Sequence, residues 1–341
     1  MFILTKYWKC KLSVGHDSGV HQLTVLWMLM GISGGKPPDS RVFREILIGT
    51  INNGSELEMS DELNARARAD FSRARFKSFI NNVFSVVAGK HTTTLLSYDE
   101  IKEKLRIGGP IYRGVKTVRV DQVAGSLNRY HEFDRAFLPK EDQLASRWQK
   151  VDRAFYQEIN LPPVVLYKVG DVYFVVDGHH RVSVAREQGQ LYIEAEVREC
   201  ATRVNITANI KPEDLEILGA KVNFLERTTL DRIRPDANVK LNIPDGFERM
   251  LEHIAVHRYF MGIDLKRDIS EEEAVAHWYD TVYMPIIEVI RESGILKEFP
   301  DKTEGYLYLW VLDHQHYLSK EEGQPLQPPE TAAKQFIEEN E

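Results

Sequence analysis

Residues 172–186 read Val172-Tyr173-Phe174-Val175-Val176-Asp177-Gly178-His179-His180-Arg181-Val182-Ser183-Val184-Ala185-Arg186: a β-rich apolar run, an Asp-Gly break, then a helix. Unpaired N–H groups and the positive end of the helix dipole make a first helical turn a ready anion site. Arg181 adds a planar fork for oxygen atoms, and His179 and His180 add donors that titrate near neutrality. A phosphate suits such a turn. The plainer alternative is that Asp177 caps the helix and the other polar groups are simply solvated.

The surrounding pattern makes this turn part of a small sheet. Pro163 to Lys168 and Val172 to Val176 are rich in β-formers and flank Gly170-Asp171, which predicts a hairpin. The helix from His179 to Gln188 is stopped by Gly189. Tyr192 to Cys200 sets Ile193, Ala195 and Val197 against Glu194, Glu196 and Arg198, a half-buried strand. Thr117 to Val120 alternates in the same way. Strand, helix and strand predict an α/β (α+β) domain with a mixed sheet and the anion site at its rim.

The order Asp-Gly-His-His-Arg at a strand-to-helix turn resembles the ParB/sulfiredoxin-like superfamily, which includes ParB-like nuclease domains. The resemblance continues through Val118-Arg119-Val120-Asp121-Gln122-Val123, Gly125-Ser126 and Leu161-Pro162-Pro163-Val164-Val165, and spans residues 115–204. It is nearer still to uncharacterised prokaryotic ParB-like proteins with an extra helical C-terminal domain. The resemblance implies that Gly178, His179, His180 and Arg181 bind the phosphates of CTP, ATP or ADP with Mg²⁺. It also implies that Asp177 fixes the turn or the magnesium, and that His179 or His180, with His180 the candidate catalytic group, stabilises a transferred phosphoryl group. The activity implied is phosphotransfer or NTP hydrolysis, with a small-molecule phosphate acceptor.

Gly125 to Arg135 is dense in side chains able to touch a ligand. ParB-like serine kinases carry a catalytic Glu after a Pro-His pair near this place. No Pro-His-Glu occurs here, and Ser126 stands about there. Glu132 and Asp134 are the nearby carboxylates available as a base, with Ser126 and Arg129 as substrate contacts. The alternatives are ion pairs of those carboxylates with Arg129 or Arg135, and a helix-capping Ser126.

Charge limits the partners. Net charge is +1 over residues 1–58, +6 over 59–119, −2 over 120–210 and −12 over 211–341. The acidic C-terminal part cannot be a general nucleic-acid surface, so DNA is disfavoured. A DNA-binding ParB-like regulator or a nuclease is the second reading, with contact confined to the basic segment. There Phe71, Phe76, Phe79, Ile80 and Val83 form an apolar stripe beside Arg66, Arg68, Arg73, Arg75 and Lys77, read first as a solvated helix docked on the core and alternatively as a nucleic-acid or anionic-lipid contact. A nuclease would also want several convergent carboxylates, and only Asp177 is clearly placed.

With only Cys10 and Cys200 there is no disulfide framework, and a reducing cytoplasm is expected. The longest apolar run, Leu23 to Ile32, is half the length of a membrane span, so no membrane partner is expected. A homodimer is left open. Residues 1–58 lack periodicity and are expected to be poorly ordered, with the biological start at Met59. A helical segment (59–112), the ParB-like domain (113–205), a helical domain (206–320) and a polar tail (321–341) follow.

In the central domain Trp148, Val151, Phe155 and Tyr156 form a packing stripe, and Asp142, Lys150 and Asp152 are read as surface. Ser97 opens a capping box in the 59–112 segment, and in the helical domain Ser270 opens another and Pro285 is expected to interrupt a helix. His253, His257, His277, His314 and His316 cluster in sequence. They are read mainly as hydrogen-bonded core residues rather than metal ligands.

Overall fold

The computed structural model describes residues 40–87, 94–321 and 326–340. Two units divide between Arg66 and Ala67. Helix α1 (Ser40–Val87) runs through that boundary, so the helix begins well before Met59. The rest of the predicted N-terminal extension, residues 1–39, lies outside the described residues. The second unit holds β1 (Leu96–Ser97), α2 (Tyr98–Lys104), β2 (Pro110–Arg119), β3 (Val123–Ser126) and α3 (Ala145–Tyr156). Next come β4 (Val164–Val169), β5 (Val172–Asp177), α4 (His179–Glu187) and β6 (Tyr192–Cys200).

The six strands form one mixed sheet in the order β1-β3-β5-β4-β6-β2. β5 pairs with β3 in parallel and with β4 antiparallel, the latter across Gly170. β6 closes against β4 in parallel and against β2 antiparallel. The fold is therefore α/β, as the pattern around residues 172–200 predicts.

Both faces of the sheet are covered. That is why β4 and β5 read as continuous apolar runs rather than alternating ones. On one face Val164, Leu166, Val175, Ala195 and Val197 pack with Val182 of α4, Trp148 of α3 and Phe71 of α1. The opposite face offers Val169, Val172, Phe174 and Cys200 to the C-terminal helices. These are α5 (Pro212–Thr228), α6 (Leu230–Ile233), α7 (Asp245–Leu265), α8 (Glu271–Trp278), α9 (Met284–Ser293), α10 (Glu304–Glu321) and α11 (Pro329–Asn340). The helical part thus shares a continuous core with the sheet.

Several sequence readings need correcting. In α1 only Phe71 of the stripe is buried, while Phe76 is 64% exposed and Phe79 and Val83 face solvent. The helix turns its other side inward because Lys77 pairs with the buried Glu187 carboxylate and Arg75 with Asp142. Asp70 accepts from Tyr156 and Gln188 on the same side. Asp152 is fully buried, one turn beyond Trp148, where its carboxylate accepts from Gln188 Nε2 at 2.7 Å. The polar tail is largely the helix α11, which buries Ala332, Ala333, Phe336 and Ile337. Pro285 acts as expected: a π-turn over Tyr279–Tyr283 separates α8 from α9, with the proline in the first turn of α9.

Candidate functional site

Gly178 makes the turn between β5 and α4 possible. Its φ of +97° suits glycine alone, and a Cβ there would lie 2.5 Å from Val164 Cγ1. Gly178, not Asp177, is the helix N-cap, and no side chain caps the turn. The first intrahelical bond runs from Val182 N to Gly178 O, so the amides of His179, His180 and Arg181 have no intrahelical acceptor.

Sheet order decides what each side chain of that turn meets. β5 lies between β3 and β4, and β3 ends at Ser126 opposite Val175, two residues before β5 ends at Asp177. His179 turns toward β3, and Arg181, about 200° further round the helix, turns toward β4. His179 Nε2 meets Ser126 Oγ at 2.8 Å. The Arg129 N–H donates to the same oxygen at 3.0 Å. The hydroxyl can accept a second bond or donate one, so the tautomer of His179 sets which of Oγ and Nε2 is the donor.

Arg181 points away from Ser126. Its Nη1 donates to the carbonyls of Pro162 and Pro163, and its Nη2 to Asp177 Oδ2 at 2.7 Å. The guanidinium therefore ties the chain entering β4 to the end of β5. Asp177, expected to fix the turn or a magnesium ion, holds that clamp.

The segment after β3 covers the His179 side. Arg129 and Glu132 pair through two contacts, Nε to Oε1 at 2.9 Å and Nη2 to Oε2, each side chain roughly a quarter exposed. This pairing holds the Glu132 carboxyl below the usual range. Asp134 does not pair with Arg135. It is buried, accepts from Leu138 N at 2.8 Å, and has its pKa raised by burial. Arg135 instead donates to the carbonyls of Ala208 and Ile210. Phe133 stacks on His179 at 6.2 Å and meets His180 edge-on at 5.7 Å.

Burial, then the Arg129 guanidinium, pushes both histidines down to about 4. Both are neutral at pH 7 and add donors and acceptors rather than charge. Only one of them is satisfied. His180 is 8% exposed, and both of its ring nitrogens are buried without a hydrogen-bond partner. A buried donor or acceptor left unmade costs about 1–3 kcal/mol.

The structure thus brings Ser126, Arg129, Glu132, His179 and His180 together at the start of α4, with Asp177 and Arg181 on its other side. Sequence reasoning did not find Phe133, which lies in an irregular segment where no periodicity marks an inward position. It also passed over Arg186, which supports the site from below, donating to Val120 O and Val123 O and lying over the Phe137 ring. Arg186 follows His179 by seven residues, two helical turns on the same face, and that spacing was a readable signal.

Among the described residues no three His, Cys, Asp or Glu side chains converge as metal ligands. In the helical part, His257 meets His277, His314 meets Glu339, and His253 meets Tyr308. No helix among the described residues is long and apolar enough to cross a membrane.

No protein-family model matches the chain, and neither does any curated protein. Among solved structures, a Pnob8-like ParB-N domain is similar to 68% of this chain over 98% of its own length, at 10% identity. The TM-score is 0.19, too low for that likeness to carry an argument. The functional reading rests on the site itself.

Proposed function

We propose that the chain is a ParB-like nucleotide-binding protein whose first turn of α4 holds the phosphates of CTP, ATP or ADP. The observation that carries this is His180, an imidazole with two orphaned nitrogens at a helix N-terminus whose amides lack intrahelical acceptors. Native proteins rarely leave such groups unmade without a reason. A phosphate oxygen meets the need of both the amides and one ring nitrogen.

The cation whose charge acts on the His179 and His180 imidazoles is Arg129 rather than Arg181. Arg129 is held by one partly exposed carboxylate, whereas Arg181 is held by two carbonyls and a carboxylate. A phosphate competes with Glu132 for Arg129 and would release the Glu132 carboxylate beside the two imidazoles. Phosphotransfer or NTP hydrolysis would use that carboxylate as the base. Magnesium arriving with the nucleotide neutralises phosphate charge and needs only one or two protein carboxylates. Asp177, whose carboxylate is exposed at the end of β5, is the candidate.

DNA binding is the weaker reading. Arg75 and Lys77 are engaged in ion pairs that dock α1 on the domain, and Arg73 pairs with Asp70 of its own helix.

The test is a thermal-shift and calorimetric screen of CTP, ATP and ADP with Mg²⁺. At least one nucleotide should raise Tm, because ligands that bind only the native state stabilise it. Arg129→Ala should weaken that nucleotide by about 1.5–3 kcal/mol, or ten- to a hundredfold. Arg181→Ala should lower stability by about 1–2 kcal/mol while changing affinity far less. The absence of a shift with every nucleotide would overturn the proposal. A loss of affinity confined to Arg181→Ala would move the phosphates to the β4 side of the turn.

A further inference from the structure

Helix α7 packs one face against the core through Phe247, Met250, Leu251, Ile254 and Met261. Its opposite face is also apolar. Val256, Tyr259, Phe260 and Ile263 recur at the i, i+3, i+4, i+7 spacing of a packing seam, and each is more than half exposed. Single exposed hydrophobics are ordinary, but a contiguous apolar stripe on a stable helix marks a contact surface.

The ends of the stripe say what covers it. Glu252 lies at one end, and Lys266, the left-handed C-cap just past Leu265, at the other, about 20 Å away along the helix axis. Neither has an ion-pair partner among the described residues. The neighbouring cations are engaged elsewhere: Arg258 donates to Ile269 O at 2.7 Å, and Arg267 pairs with Glu273.

We propose that this face of α7 binds the same face of a second copy, the two helices running antiparallel about a two-fold axis near Tyr259 and Phe260. Such a contact is self-complementary. Two-fold symmetry lays Val256 against Ile263 of the second copy and Glu252 against its Lys266. A parallel arrangement would instead oppose Glu252 to Glu252 and Lys266 to Lys266. The charge pattern therefore selects both the occupant and its direction.

Sedimentation velocity on the full chain, from about 1 to 100 µM, reads the association directly. The wild type should dimerise in this range. Tyr259→Glu puts two carboxylates near the axis and should raise the dimer dissociation constant more than ~100-fold. Glu252→Lys and Lys266→Glu should each raise it ~3–10-fold, since symmetry repeats every contact. The double exchange Glu252→Lys with Lys266→Glu should return it to within ~2-fold of wild type. All of these side chains are on the exposed face, so the fold is not at stake. A wild type that stays monomeric, a dimer that Tyr259→Glu leaves intact, or a double exchange as weak as the single ones would each overturn the proposal.

Discussion

His180 at the start of α4 and His253 in the middle of α7 occupy similar physical environments with opposite outcomes. Burial takes each imidazole out of water and pushes it down to about 4, with an arginine adding to the effect in each case. His253 Nδ1 meets the Tyr308 hydroxyl at 3.3 Å, and Tyr308 in turn accepts from Trp278 Nε1 at 3.0 Å. That histidine is half-buried and tied to a hydrogen-bonded network whose other members, Tyr308 and Trp278, are buried. His180 has the same neutral ring and less access to solvent, but nothing to bond to. A depressed pKa thus fails to separate a structural histidine from a functional candidate, and the state of its hydrogen bonds does so.

The largest expected effect is one the two histidines share. Together with His179 they have folded-state pKa values of about 4, below the ordinary 6.5 of an exposed imidazole. The unfolded chain then binds more protons than the native one between those values. Their contribution to stability is complete above about pH 6.5 and is lost as pH falls toward 4. Urea titrations at pH 7 and pH 5 should differ by about 1–2 kcal/mol for each histidine. A saturating nucleotide should shrink the loss, because an anion beside His179 and His180 favours their protonated forms. A protein equally stable at both pH values would show that these rings are not buried neutral.

The second prediction separates the two sites. His253→Leu removes the partner of Tyr308 and should cost about 1–2 kcal/mol. His180→Leu removes groups that already lack partners, so stability should stay within about 0.5 kcal/mol of wild type or rise. Nucleotide affinity should respond in the reverse order, falling at least about tenfold in His180→Leu and holding in His253→Leu. Equal destabilisation by both substitutions would mean that His180 makes a bond in solution, and the comparison would fail.

Residues 172–200 were legible because their signals are local. The hairpin follows from Gly170 between apolar runs, the end of α4 from Gly189, and the boundaries of β6 from strict alternation. Gly178 was legible as a turn, whereas its role as the N-cap was not, since Asp177 looks like the better cap and only its pairing with Arg181 removes it. The side chain that the sequence singles out to grip phosphate, Arg181, is directed to β4 by the position of β5 between β3 and β4. Sheet order is a long-range property that no window of sequence contains. The inward face of α1 was hidden for the same reason, since Lys77 and Glu187 are far apart in the chain. Asp152 was misread because a carboxylate is seldom buried without partners, and its partner Gln188 is the distant C-cap of α4.

The smallest effect belongs to a third histidine arrangement, intermediate between the other two. His257 Nε2 and His277 Nδ1 are 2.8 Å apart across α7 and α8, with Thr281 Oγ1 also 3.1 Å from His277 Nδ1. His257 is half-buried, and burial lowers its pKa with His277 adding to the effect. His277 is exposed, so water can replace much of what the pair provides. His277→Ala should therefore cost no more than about 0.5 kcal/mol at pH 7, read by urea denaturation. A cost near that of His253→Leu would show that the contact fastens α8 to α7 as firmly as a core bond. Partner identity would then matter more than burial in ranking the histidines of this protein.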